Sequence, residues 1–201
     1  MVMESTKQAL TSVEINPLLT KRWSPRAFSA DMPTQQQILA LMEAARWSAS
    51  AGNGQPWSFI LIPRDDGTFP KFVQTLNPAN IVWAQHAPLL LVGVAQTIRE
   101  DGKANPYAPY DLGQSMAHLS IQAMSMGLFV HQMAGFSRED VRTLFTIPEG
   151  FEPFVVAAIG SLGDASSLPE NLREREEAPR SRKALESFVF VETWGQPYST
   201  E

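Results

Sequence analysis

Hydrophobic and polar positions along this chain follow two periods, and the switches between them predict its elements. Thr34 with Gln37 three residues on reads as a capping box, and Ile38, Leu41, Met42 and Ala45 keep helical spacing, so an amphipathic helix runs to about Trp47. Residues 48–56 form a flexible loop, with Gly52 as the candidate C-cap of that helix. Residues 57–62 are a strand candidate closed by the turn at 63–67. A helix begins at 70–76 and is interrupted by Asn77-Pro78, while residues 88–95 are apolar on both faces, as a central strand should be. The next helix, 111–127, has apolar residues nearly all round and is expected to be buried, with His118 as a hydrogen-bonded core residue. Gly113, Ala117, Ser120 and Gly127 keep one side of it thin. Ser137 with Asp140 caps a further helix that turns Val141, Leu144 and Phe145 inward. Strands are expected at 154–160 and 188–191, separated by a charged, irregular stretch at 168–182. Residues 1–20 read as a lead-in with Ile15, Leu18 and Leu19 as a short helical anchor, and 194–198 as a tail. Strict βαβ alternation is missing, which predicts an α+β fold in a single domain spanning 1–201, with strand and arm at 186–201.

Composition narrows the function classes. The chain has 201 residues, enough for one sizeable core and short for two. A formal net charge of −5 argues against nucleic acid as a partner. With no cysteine there is no disulfide, no thiolate chemistry and no cysteine-ligated metal. The first residues lack an apolar core of the secretory type, and the longest apolar run, 88–95, is too short to span a bilayer. A soluble cytoplasmic protein without a membrane partner is the expectation.

Four stretches carry candidate chemistry. In Arg22-Trp23-Ser24-Pro25-Arg26 an extended backbone sends Arg22, Ser24 and Arg26 to one face, where two guanidinium forks and a hydroxyl match a phosphate monoester. A surface strand with solvated arginines has the same pattern. In Ala51-Gly52-Asn53-Gly54-Gln55-Pro56 the flanking glycines free Asn53 to approach a ligand, and its carboxamide offers a donor and an acceptor; a plain helix-ending turn fits as well. In His131-Gln132-Met133-Ala134-Gly135-Phe136 the backbone N–H groups of Ala134 and Gly135 could face a redox-active ring, or Met133 could simply fill the core of an ordinary loop. Arg180-Ser181-Arg182 either offsets neighbouring glutamates or joins Arg22 and Arg26, in which case four cations overmatch a dianion and some stay solvated. No His, Asp or Glu spacing suggests a metal, and neither a P-loop nor a dinucleotide fingerprint is present.

Taken together, Arg22-Trp-Ser24-Pro-Arg26, Ala51-Gly-Asn53-Gly-Gln55-Pro-Trp57, Asp111-Leu-Gly-Gln-Ser-Met-Ala117, the run from Gly127 to Phe136 and Arg180-Ser-Arg182-Lys-Ala-Leu185 resemble the FMN-dependent nitroreductase family over nearly the whole chain. The resemblance implies a three-layer α+β subunit, a central mixed or antiparallel sheet flanked by helices, and a homodimer with FMN at the interface. It implies that Arg22, Trp23, Ser24, Arg26, Asn53, Gln55, Met133, Ala134, Gly135, Arg180 and Arg182 hold the cofactor. Arg22, Ser24, Arg26 and Arg182 would meet the phosphate, with Arg180 in a lesser part, and the 134–135 backbone would lie near the flavin N5. Some relatives carry a glutamate where Ala134 stands, so a side-chain contact is missing here. The thin-faced helix fits a dimer core, and the 194–198 tail fits an arm on the partner. The implied activity is hydride transfer from NADH or NADPH to a nitroaromatic, quinone or similar acceptor by a ping-pong mechanism, with no catalytic side chain, because the flavin carries the chemistry. Two other readings stay open: a flavin-storing or flavin-sensing protein without useful turnover, and a dimeric interaction protein that has lost the cofactor.

Overall fold

The computed structural model describes residues 7–198. The start of the lead-in (1–6) and the end of the C-terminal arm (199–201) lie outside them. Seven α-helices and four strands follow in the order α1 (Pro17–Lys21), α2 (Gln35–Arg46), β1 (Trp57–Pro63), α3 (Phe69–Val73), α4 (Pro78–Ala84), β2 (Leu89–Gln96), α5 (Ala108–Ser125), β3 (Phe129–Met133), α6 (Arg138–Phe145), β4 (Phe151–Gly160) and α7 (Glu170–Glu177) among the described residues.

The sheet order is β1-β2-β4-β3 and every pair is antiparallel. β2 lies inside the sheet with residues 89–95 all buried, which explains why it reads as apolar on both faces. Its side chains alternate between two cores. Leu89, Leu91 and Ala95 pack with Leu41 of α2 and with Leu112, Met116 and Leu119 of α5. Leu90, Val92 and Val94 face the opposite layer, where Trp23, Phe28, Phe72, Trp83 and Phe136 pack together. The result is a three-layer α+β fold with the sheet in the middle.

The local signals acted where they were expected. Thr34 accepts from the Gln37 N–H and the Gln37 side chain accepts from the Thr34 N–H, closing the box that starts α2. Ser137 accepts from the Asp140 N–H and starts α6.

Six expectations are corrected. Asn77-Pro78 starts a helix rather than only ending one, because proline at the first helical position gives up an N–H that would be unpaired anyway. The charged stretch after Leu168 holds α7, whose two buried residues, Leu172 and Glu176, are one turn apart. Helix α2 ends at Arg46, so Gly52 is not its C-cap; it sits at φ 58° in a separate short 3-10 turn. No strand forms at 188–191, where a single bridge joins Phe190 to Pro197. Helix α5 is buried on one side only, with Gly113, Ala117 and His118 exposed, so His118 is not a core residue in the single chain. The lead-in does contain a short helix, α1, but Ile15 and Leu19 are exposed and Thr20 is its buried residue.

Candidate functional site

After α1 the chain runs along one face of the sheet and alternates in burial. Trp23, Pro25 and Ala27 are buried, while Arg22, Ser24 and Arg26 are half-buried on the other side, as an extended segment requires. Trp23 meets Phe129 edge to face, with ring centroids 6.0 Å apart, and the Lys7 ammonium lies 4.9 Å over the Trp23 ring.

Two groups from distant elements fix this run. Glu176 of α7, fully buried, accepts from the Arg26 N–H at 2.6 Å and from the Ala27 N–H at 3.1 Å through Oε1. His131 of β3 bonds the Pro25 carbonyl at 2.8 Å through Nδ1, which must carry the proton because a carbonyl oxygen only accepts. The His131 ring also packs on Trp83 of α4 at 4.4 Å. Burial, with the nearby Arg26 and Arg22 charges, holds the imidazole at about 4, although its bond to Pro25 pulls the other way.

The arginines divide into two kinds. The Arg26 guanidinium lies 3.6 Å from Glu176 Oε2 and is paired with it. Arg22 donates to the Ser24 hydroxyl at 3.3 Å. Arg180 reaches back to the Lys7 and Thr20 carbonyls at 2.9 and 2.8 Å, and Arg182 bonds the Ser181 carbonyl. Burial and then the Arg182 charge hold Arg22 below its usual value, and burial, Arg22 and Arg182 do the same to Arg180. These three guanidinium groups therefore converge, and none has a carboxylate within 4.0 Å among the described residues. A cluster of uncompensated cations beside a hydroxyl fits a phosphate monoester.

The Met133–Gly135 turn follows His131 directly along β3. Met133 is buried, whereas Ala134 is exposed. The Gly135 carbonyl accepts from the Asn77 N–H at 2.9 Å and from Asn80 Nδ2 at 3.0 Å. A Cβ on Gly135 would lie 2.9 Å from both Asn77 Nδ2 and Asn80 Nδ2, so a larger residue would force the turn off α4. The N–H groups of Ala134 and Gly135 meet no acceptor among the described residues and are free to donate to a ligand.

The Ala51–Gln55 loop stands apart. Its backbone is tied to α5 by the buried Asp111, which accepts from the Ala51 N–H at 3.1 Å. Gly52, Asn53 and Gln55 have φ values of 58°, 57° and 47°, and the Asn53 carboxamide has no partner among the described residues. Such a left-handed run in an exposed loop is costly for the two non-glycine residues. The loop leads into β1, one edge of the sheet, whereas the arginines lie by β3, the other edge. Three strand spacings separate the edges, roughly 14 Å. Trp57 also lines up through Ala95 with Glu152, while Phe129 pairs with Gly160, eight residues further along β4, or roughly 27 Å. One chain thus brings together Arg22, Ser24, Arg180 and Arg182, sets the 134–135 turn at the end of the same edge strand β3, and leaves Asn53 and Gln55 far from the arginines.

Glu176 and Asn80 carry no local sequence signal as site residues. The partners of Glu176 are 149 and 150 residues away. Only its position one turn after the buried Leu172 hinted that a carboxylate points inward. Among the described residues no group of acidic or histidine side chains could hold a metal, and no helix is long and apolar enough to cross a membrane.

Comparison with known proteins gives the family and the fold. Residues 19–86 match the model of the nitroreductase family. A solved structure described as an oxidoreductase containing FMN superposes with a TM-score of 0.88 at 33% identity, covering 93% of this chain and 96% of that one. An FMN-dependent nitroreductase of Clostridium difficile shares the fold, with a TM-score of 0.70 at 17% identity, over 88% of this chain and 98% of its own. An uncharacterized 15.4 kDa protein of Mycolicibacterium smegmatis is 39% identical over 132 residues, which is 66% of this chain and 88% of that protein.

Proposed function

From its membership of the nitroreductase family, to which this chain belongs, we propose that the protein is an NAD(P)H-dependent oxidoreductase acting on nitroaromatic, quinone or similar small organic acceptors. It is a flavin oxidoreductase, and its cofactor is FMN. The observation that supports the site is the convergence of Arg22, Arg180 and Arg182, without a carboxylate partner, beside Ser24.

In this reading Arg22, Ser24 and Arg182 hold the FMN phosphate. Arg180, with one nitrogen committed to two carbonyls, adds charge and holds the segment in place. Arg26 takes a smaller share because Glu176 already neutralises it. Trp23 and Met133, both buried, back the site from the core. Bound FMN supplies hydride acceptance and donation at N5. The N–H groups of Ala134 and Gly135, which have no acceptor among the described residues, would donate hydrogen bonds towards that position, and Ala134 would bring no charge of its own. His131 is no proton source at neutral pH, because it is neutral there and its Nδ1–H is occupied by Pro25. Donor and acceptor use one site in turn, a ping-pong order, since the described residues offer no second cluster for a nicotinamide.

Asn53 and Gln55 reach the flavin from a second copy of the chain. The distance between their loop and the arginines supports this, as does the exposed thin face of α5 at Gly113 and Ala117. The exposed Phe188 and Trp194 fit an arm laid on the partner of a homodimer. A nicotinamide-using enzyme of this kind is placed in the cytoplasm.

The test is to purify the protein, record its visible spectrum, and follow NADH and NADPH oxidation with a panel of nitroaromatics and quinones. A yellow protein whose flavin bleaches with a nicotinamide and recovers with an acceptor is expected. Flavin bound without turnover would leave a storage or sensing protein, and a colourless chain that takes up no FMN would leave an interaction protein.

A further inference from the structure

We infer that Glu176 is a positioning residue for phosphate recognition, holding the Arg22–Arg26 run in the one conformation that faces the C-terminal arginines. The inference rests on the flavin reading above. Three observations carry it. The carboxylate is fully buried, and its Oε1 takes two consecutive backbone N–H groups, those of Arg26 and Ala27. The carbonyl just before them, that of Pro25, is held by His131 from the other side. The run is therefore clamped at adjacent peptide units, and Arg22 and Ser24 are left as its outward groups.

The placement of Glu176 also links the two halves of the cation cluster. Glu176 lies near the end of α7, and the chain leaving that helix carries Arg180 and Arg182. Lys7 closes the same knot by donating to the Arg175 and Ala178 carbonyls at 3.3 and 2.5 Å, on either side of Glu176. Moving the Glu176 carboxylate thus shifts Arg22 relative to Arg182, the pair that must meet one phosphate. Its other oxygen, Oε2, has no hydrogen-bond partner and faces Arg26 at 3.6 Å, so the strong contacts of this carboxylate go to backbone and not to the guanidinium. Its role is geometry first and charge second.

The two can be separated. Glu176→Gln keeps an acceptor oxygen in place and removes the charge. Glu176→Asp keeps the charge and draws the acceptor back by one bond, about 1.5 Å. FMN and riboflavin, which lacks the phosphate, are titrated onto each apo-protein, and urea unfolding of the apo-proteins is followed in parallel. Glu176→Gln is expected to bind FMN within about threefold of wild type, and Glu176→Asp to lose at least about tenfold for FMN, while riboflavin changes by less than about threefold in both. The preference for FMN over riboflavin then collapses only in Glu176→Asp, a change that lost stability alone would not produce. FMN binding unchanged in Glu176→Asp, or lost equally in both variants, or lost together with riboflavin, overturns the inference. If Glu176→Asp does not fold, Glu176→Gln decides alone: a loss of FMN affinity beyond about tenfold overturns it. A wild-type chain that takes up no FMN overturns the proposed function and this inference with it; the other adverse results overturn only the inference.

Discussion

The loop at 22–27 and the loop at 51–55 both carry candidate cofactor contacts, yet the chain treats them in opposite ways. The first is laid against the core, clamped by Glu176 and His131, and alternates cleanly between buried and half-buried residues. The second is exposed, makes one long-range bond through Ala51, and keeps Gly52, Asn53 and Gln55 in left-handed conformations. A phosphate is recognised by charge, and like charges converge only on a rigid frame that opposes their repulsion. A carboxamide at a ring edge needs no such frame within its own chain; it needs a ligand or a partner surface to complete it. In the proposed reading, one chain finishes the phosphate half of the site and a second copy completes the other.

The comparison breaks most readily at its charged half. Arg22→Ala with Arg182→Ala removes two charge-assisted contacts of about 1.5–3 kcal/mol each, so FMN affinity should fall by about 10²–10⁴-fold in a fluorescence titration, with the apo-fold intact by circular dichroism. Mixing this chain with an Asn53→Ala chain should regenerate an intact site in hybrid dimers; no recovery would mean that Asn53 serves the same chain as Arg22.

The clamp itself should register as a pH effect. His131 has a folded value of about 4 against an ordinary 6.5, so the unfolded chain binds the proton more readily. Stability from this group is complete above about pH 6.5 and is lost as pH falls towards 4, a change on the order of 2–3 kcal/mol. Denaturant midpoints across that window should fall less in His131→Asn, which keeps a donor for Pro25 and cannot take up a proton; equal slopes would remove His131 from the clamp.

A smaller effect sharpens the contrast between the arginines. Arg26→Ala leaves the buried Glu176 without its cation and should cost about 1–3 kcal/mol of folding stability, with less loss of FMN affinity than Arg22→Ala. The reverse order would return Arg26 to the phosphate.

The smallest effect belongs to the open loop. Gly52→Ala meets no neighbour within 4 Å but must hold φ near 58°, so it should cost about 1–2 kcal/mol in urea unfolding. An unchanged midpoint would show that the isolated loop adopts a different conformation in solution.

How far the chain could be read in advance follows from the range of each interaction. The capping box of α2, the Ser137 N-cap of α6, the apolar run of β2 and the alternation of Arg22, Ser24 and Arg26 rest on residues no more than a few positions apart, and sequence alone determined them. The α+β class followed from their order. Local chemistry misled where one signal serves two outcomes, as at Pro78, which stops one helix and starts another, and in the polar stretch holding α7, which conceals a single buried face; it misled also at Gly52, at 188–191 and at His118, where the packing around the residue decides. Tertiary structure alone decided that Glu176 turns inward to a loop 150 residues away, that His131 serves a carbonyl, that Arg26 is neutralised while Arg22 is not, and that Asn53 lies at the far edge of the sheet. Those choices depend on which elements the packed sheet sets side by side, and no short stretch of sequence carries that information.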